Sequence, residues 1–298
     1  MQALVSGSTG LIGRALVSRL EDADHEVTPL VRPGTATDDG IEWDPSSGEL
    51  DGAQLEGFDA VVHLAGESIN QRWTEQAKQR IRDSRIEGTR LLATTLAELD
   101  DPPEVLVSAS AVGYYGDRGS TWLEEDATAG DLFISEVCQQ WEEAAQAAAE
   151  NDIRVVTTRT GIVLSSEGGA LPQMLPPFKL GLGGRLGSGK QYMSWLTRDD
   201  AARSIEHLIE TEDVEGPVNV ATPNPVTNKT FTNALGSVLG RPTVFWVPEP
   251  AVRLLFGQMG EELLLASDRM RPTKLLDSGF TWQYPELEPA LEHALDGR

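Results

Sequence analysis

A glycine triplet close to the N-terminus constrains this chain more than any other feature. In Val5-Ser-Gly-Ser-Thr-Gly-Leu-Ile-Gly-Arg-Ala-Leu16, Gly7, Gly10 and Gly13 stand at G-x-x-G-x-x-G spacing. Apolar Ala3, Leu4 and Val5 come just before and read as a buried strand. Leu11, Ile12, Ala15, Leu16 and Leu20 follow at helical spacing. Strand, glycine turn and helix together are the context of a dinucleotide-binding turn. Gly7 turns the chain off the strand, Gly10 leaves room for a pyrophosphate, and Gly13 lets the helix pack close to the sheet. Ser8, Thr9, Leu11 and Ile12 complete the turn, whose free N–H groups and helix dipole suit phosphate. The competing reading is a glycine-rich turn without ligand, and the flanking strand and helix argue against it.

A second strand over 26–31 ends at Arg32, nineteen residues past Gly13. There an acidic residue would bind the ribose 2′-hydroxyl of NAD, and an arginine suits the 2′-phosphate of NADP. Ser8 can add a hydroxyl to the same phosphate. A short strand or turn at 41–45 offers Trp43 or Asp44 as an edge for the adenine. Ala60-Val-Val-His-Leu-Ala-Gly66 reads as a buried strand ending in a small-residue turn. Leu64, Ala65 and Gly66 would let the cofactor cross the carboxyl end of the sheet, with Glu67 next to it. His63 reads as a core histidine.

The pattern continues with a helix over 74–99, a strand over 104–108, a helix over 134–150 and a strand over 154–159. The glycine-, proline- and leucine-rich stretch 168–189 reads as an irregular functional loop. A helix over 199–209, capped by Asp199, and a strand at 218–221 follow. Residues 225–298 read as a small α/β lobe. The expected fold is therefore α/β: a Rossmann-like doubly wound parallel sheet with a smaller C-terminal α/β lobe. Residues 1–165 form the NADP-binding domain, its sheet completed by parts of 196–222, and 166–298 form mainly the substrate side.

Composition sets limits on partners. The 298 residues carry 47 acidic and 24 basic side chains, a formal net charge of −23, and only five of the bases are lysine. Such a surface repels nucleic acid and anionic membranes. Acid-rich, lysine-poor composition fits a high-salt cytoplasm, where charge is strongly screened; an ordinary acidic protein is the alternative. A single cysteine, Cys138, excludes an internal disulfide and a cysteine-based metal cluster, and no metal site is expected. With no apolar run long enough to span a membrane and no signal-peptide pattern, a cytoplasmic location is expected.

The chain resembles the extended, sugar-nucleotide-epimerase-like short-chain dehydrogenases/reductases along its whole length. The resemblance rests on Gly7-Ser-Thr-Gly-Leu-Ile-Gly13, His63-Leu-Ala-Gly66, Val107-Ser-Ala-Ser-Ala111, Arg159-Thr-Gly-Ile-Val163 and Trp195-Leu-Thr-Arg-Asp-Asp200. It is closer to a poorly characterised epimerase-family branch, at Ser84-Arg-Ile-Glu-Gly-Thr-Arg90, Ser108-Ala-Ser-Ala-Val-Gly-Tyr-Tyr-Gly116 and Val137-Cys-Gln-Gln-Trp-Glu142. The superfamily implies a dinucleotide, a substrate-orienting serine and a Tyr-x-x-x-Lys pair that moves the proton. Ser110 matches the serine. The pair does not match: its place holds Phe133 and Val137, or Ile134 and Cys138, and neither pair transfers a proton.

Tyr114 and Tyr115, just beyond Ser110, and Glu67 are the substitute proton carriers; packing against the sheet is the alternative for both tyrosines. Arg72, Trp73, Ser84, Arg85, Gln191 and Trp195 are further candidates to line the cleft. Two functions follow. One is an NADP(H)-dependent oxidoreductase or epimerase-like enzyme with a non-standard acid/base, acting on a small-molecule substrate. The other is an NADP(H)-binding sensor or regulator without turnover. A nucleotide-sugar binder is a third reading, with Arg185, Lys190 and Arg198 for its diphosphate. Extended relatives often form homodimers through two long helices, here 74–99 and 134–150, whose apolar residues serve equally as core.

Overall fold

The computed structural model describes residues 1–35 and 40–296. Its centre is an eight-stranded sheet: β1 (Gln2–Ser6), β2 (Glu26–Val31), β3 (Ile41–Asp44), β4 (Glu49–Leu50), β5 (Ala60–His63), β6 (Val105–Ala111), β7 (Arg154–Thr160) and β8 (Gly216–Val220). The spatial order is β8-β7-β6-β5-β1-β2-β3-β4, parallel except for the β3–β4 pair. Strand order reverses between β1 and β5, so the crevice above their carboxyl ends is the ligand position of an open α/β sheet.

Strand side chains alternate between two helical layers. Val5, Val62, Val107 and Val156 are register partners in the core beneath α1 (Leu11–Asp22) and α5 (Arg198–Glu210). Leu4, Val61, Leu106 and Val155 face the other layer, α2 (Glu75–Ala97) and α3 (Phe133–Ala145). The apolar residues Ile81, Leu92 and Leu96 of α2 and Ile134, Val137 and Trp141 of α3 are buried within the chain. Among the described residues, large exposed apolar side chains lie elsewhere, chiefly Val244, Phe245, Trp246, Leu254, Leu255 and Phe256 of the C-terminal part. No described helix is long and apolar enough to cross a membrane.

The C-terminal part has its own core, in which Leu171, Leu175 and Phe178 of α4 (Leu171–Lys179) meet Trp195, Phe231, Leu235 and Leu291. Two expectations change here. The stretch 168–189 contains this helix, although Pro176 and Pro177 lie inside it. The buried positions Leu171, Leu175 and Phe178 recur one turn apart, and that burial outweighs the proline penalty. The cap of α5 is Thr197, not Asp199: Thr197 Oγ1 accepts the N–H of Asp200 at 3.1 Å, while Asp199 binds His293 at 2.7 Å.

Candidate functional site

The glycine turn joins β1 to α1. Gly7 has φ +69°, and a Cβ there would stand 2.8 Å from the Leu64 carbonyl carbon and 2.9 Å from the Ala65 nitrogen. The two turns thus touch backbone to backbone at the strand-order reversal, which only glycine allows. A Cβ on Gly13 would meet the Gly7 carbonyl oxygen at 2.1 Å, so Gly13 packs against the turn itself rather than against the sheet. Gly10 caps α1 without a side-chain bond, and the amides of Leu11, Ile12 and Gly13 have no protein acceptor among the described residues. Ser8 is half-buried, and Thr9 and Gly10 are exposed. This is a cradle of free N–H groups that a pyrophosphate fits.

Arg32 lies exposed just past β2. Trp43 does not edge this crevice: it is 3% exposed, lies edge-on to His63 at 5.6 Å and sits under Gly88 of α2. Asp44 binds the N–H and hydroxyl of Ser46, which hold its carboxyl below the usual carboxylate range. On the other side, α2 braces the turn after β5. Ser84 Oγ accepts the Glu67 N–H at 3.0 Å, and Arg85 donates to the Glu67 carbonyl at 3.0 Å with its guanidinium over Gly66. The Glu67 carboxylate accepts from Gln71 at 3.1 Å and faces Arg80 at 3.7 Å.

Beyond β6 the three catalytic candidates part company. Ser110 is 4% exposed and donates to Glu142 Oε1 of α3 at 2.7 Å. The same carboxylate holds Arg159 of β7 by two bonds of 2.8 Å. Burial opposes the Arg159 charge, but the bonds to Glu142 outweigh it and keep the guanidinium above its ordinary pKa. Tyr115 is fully buried, donates to Asn219 Oδ1 at 2.7 Å and accepts from Arg159 at 3.0 Å. Burial pushes its phenol up to about 12, so Tyr115 is a structural group and not an available proton carrier. Tyr114 is half-buried, stacked 3.4 Å from its ring centre to the Arg159 guanidinium, and its hydroxyl has no protein partner among the described residues.

Helix α3 turns Ile134 and Cys138 towards β6. Ile134 packs on Gly113, and Cys138 lies beside Ser110, with burial pushing its thiol up to about 12. Phe133 instead faces Trp73. The positions facing the strand end are thus an isoleucine and a protonated thiol. Gln191 and Trp195 do not line the cleft: Gln191 donates to the carbonyls of Leu186 and Leu264, and Trp195 is fully buried with its indole bonded to the Asn224 carbonyl. Arg198 is paired with Glu167, whereas Arg185 and Lys190 are exposed. Sequence reasoning missed Glu142, Arg159 and Asn219 as one buried network. The available signal was Arg159 itself, a charge within a strand whose neighbouring positions Val155 to Thr158 are buried, which requires a partner.

The NAD dependent epimerase/dehydratase family model matches residues 3–221. The chain belongs to this family. A domain of unknown function matches residues 247–294. An epimerase family protein of Mycobacterium bovis is 43% identical over 291 residues, covering 97% of this chain and 96% of its own length. The crystal structure of human epimerase family protein SDR39U1 (isoform 2) with NADPH superposes with a TM-score of 0.91 at 36% identity, covering 100% of both chains. The nucleoside-diphosphate sugar epimerase of Corynebacterium glutamicum gives a TM-score of 0.83 at 35% identity, over 99% of this chain and 58% of that one.

Proposed function

We propose that the protein binds NADP(H) across the carboxyl ends of β1 and β5 and acts as an oxidoreductase or epimerase-like enzyme on a small molecule. The observation that carries this reading is the contact of Gly7 with the Leu64–Ala65 turn beside the unpartnered amides of Leu11, Ile12 and Gly13. Those amides, with Ser8, Thr9 and Gly10, would hold the pyrophosphate; Arg32 would take the 2′-phosphate; and Leu64, Ala65, Gly66 and Glu67 would flank the cofactor's path. The human relative crystallised with NADPH supports the choice of NADP over NAD.

Bound nicotinamide would supply hydride acceptance and return. The chain's own part is to orient the substrate and move its proton. Tyr114 is the one candidate of the three with an unengaged hydroxyl at the strand end, and Arg159 holds its ring. The Corynebacterium neighbour suggests a nucleotide-sugar-like substrate, for which exposed Arg185 and Lys190 offer positive charge.

A second reading, NADP(H) binding without turnover, is favoured by Ile134 and Cys138 at the tyrosine and lysine positions and by the engagement of Ser110 and Tyr115. The deciding experiment is a titration with NADPH and NADH in molar KCl, followed by tryptophan fluorescence. Tight NADPH and weak NADH binding, with the preference lost in Arg32→Ala, supports cofactor use and opens a substrate screen. Binding of neither overturns both readings.

A further inference from the structure

A buried polar row runs across four central strands, from the carboxyl ends of β1 and β5 to the middle of β6 and β7, and is not explained by cofactor contacts alone. Ser6 of β1, His63 of β5, Ser108 of β6 and Thr157 of β7 are register partners on four adjacent strands, and each is at most 1% exposed. Residues paired in register share a sheet face, so all four lie on the side of α2 and α3.

The hydrogen bonds around Ser6 fix the direction of each donor. Its hydroxyl oxygen lies 3.2 Å from the N–H of Leu64 and 3.4 Å from that of Ala65, and both can only donate to it. The same oxygen is 2.6 Å from His63 Nδ1. One hydrogen must lie between these two atoms. If it belonged to Nδ1, Ser6 Oγ would accept from three donors and its own hydroxyl hydrogen would have no acceptor in a fully buried site. With the hydrogen on Ser6, the hydroxyl donates to Nδ1 and accepts from Leu64 and Ala65, and only Nε2 is left without a partner among the described residues; the other arrangement would strand both Nε2 and the Ser6 hydroxyl hydrogen. The imidazole is then neutral and carries its hydrogen on Nε2. Ser108 Oγ and Thr157 Oγ1, on the strands beyond it, likewise have no protein partner among the described residues. Burial also pushes the imidazole down to about 4, in keeping with a neutral ring.

We propose that His63 is a positioning residue: as the Nε2–H tautomer it orients the Ser6 hydroxyl so that Ser6 holds the Leu64–Ala65 turn against Gly7 and thereby sets the shape of the cofactor crevice. The effect on NADP(H) rests on the reading given under Proposed function, whereas the tautomer does not. His63 touches neither phosphate nor nicotinamide in this role; it acts through Ser6 and the turn.

The test has two arms. Nitrogen-15 NMR of the unliganded protein, with the His63 signals identified by their loss in His63→Asn, reads the tautomer. A hydrogen on Nε2 and a bare Nδ1 between pH 5 and 8 is the expected result, and a hydrogen on Nδ1 overturns the proposal. The second arm measures NADPH dissociation constants. His63→Leu and Ser6→Ala should each weaken binding about 10-fold, the size of one lost hydrogen bond. The double variant should lose no more than either single one, since both break the same link. His63→Asn, whose Oδ1 falls close to the place of Nδ1, should stay within about 3-fold of the parent. Wild-type affinity in Ser6→Ala, or additive losses in the double variant, overturns the positioning role even if the tautomer is as stated. If the parent binds no NADPH, the cofactor reading fails and the NMR arm still decides the hydrogen-bond assignment.

Discussion

Arg159 and Glu142 face each other through two bonds of 2.8 Å, with the guanidinium side chain only 3% exposed. Glu142 also accepts from Ser110, so one carboxylate ties α3 to β6 and β7. Removing it leaves a buried cation without a counter-charge. Glu142→Ala should therefore destabilise the fold by about 3–5 kcal/mol, far above an exposed ion pair. Urea denaturation at fixed KCl measures this. A loss under about 1 kcal/mol would mean that Arg159 finds another partner and that the network does not hold these elements together.

Tyr114 and Tyr115 are adjacent in sequence and opposite in role. Tyr115→Phe strands Asn219 Oδ1 and one N–H of Arg159, whose nitrogen keeps only its bond to the Glu125 carbonyl, and should cost about 1–3 kcal/mol. Tyr114→Phe removes a hydroxyl without a protein partner among the described residues and should change stability by no more than about 0.5 kcal/mol. Paired denaturation curves separate the two. Equal costs would place both hydroxyls in the structural network and remove Tyr114 as the substrate-facing group.

What was legible in the chain was local. The alternation of Leu4 and Val5, Val61 and Val62, and Leu106 and Val107 between two helical layers, together with the glycine spacing, marks the sheet, its order of elements and the crevice. What was not legible depends on distance or on competition between equal signals. Ser110 and Glu142 are 32 residues apart, and no periodicity announces that the serine is already engaged. Thr197 and Asp199 are both good caps, and only the pull of His293 on Asp199 separates them. Pro176 and Pro177 argued against a helix until the burial of Leu175 and Phe178 was counted. Trp195 sits next to the glycine-rich stretch in sequence, but its ring fills the second core.

His63 gives the fold a pH dependence of known sign. Its pKa falls from the ordinary 6.5 to about 4 on folding, because burial penalises the charged ring. Between these values the unfolded chain holds a proton that the folded chain does not. Stability from this group is therefore complete above about pH 6.5 and is lost as pH falls towards 4, with a slope approaching about 1.4 kcal/mol per pH unit. Denaturation midpoints of the parent minus those of His63→Asn, measured from pH 4 to 8, should show this slope over that window and a plateau above it. A flat difference curve would mean that His63 is protonated equally in both states.

Gly10 and Gly13 distinguish a ligand-driven need for glycine from a fold-driven one. A Cβ on Gly13 would overlap the Gly7 carbonyl oxygen at 2.1 Å, so Gly13→Ala must displace the turn. It should lower stability by more than about 2 kcal/mol, as overpacking against a fixed backbone does, and abolish NADPH binding with it. A Cβ on Gly10 meets the same oxygen only at 3.1 Å, from an exposed position with φ −73°, which any residue adopts. Gly10→Ala should therefore keep its denaturation midpoint near that of the parent while its methyl group stands where the pyrophosphate must approach, weakening NADPH at least about 10-fold. Unchanged affinity in a folded Gly10→Ala protein would show that no phosphate lies over this turn, and the cofactor would have to be sought elsewhere on the sheet.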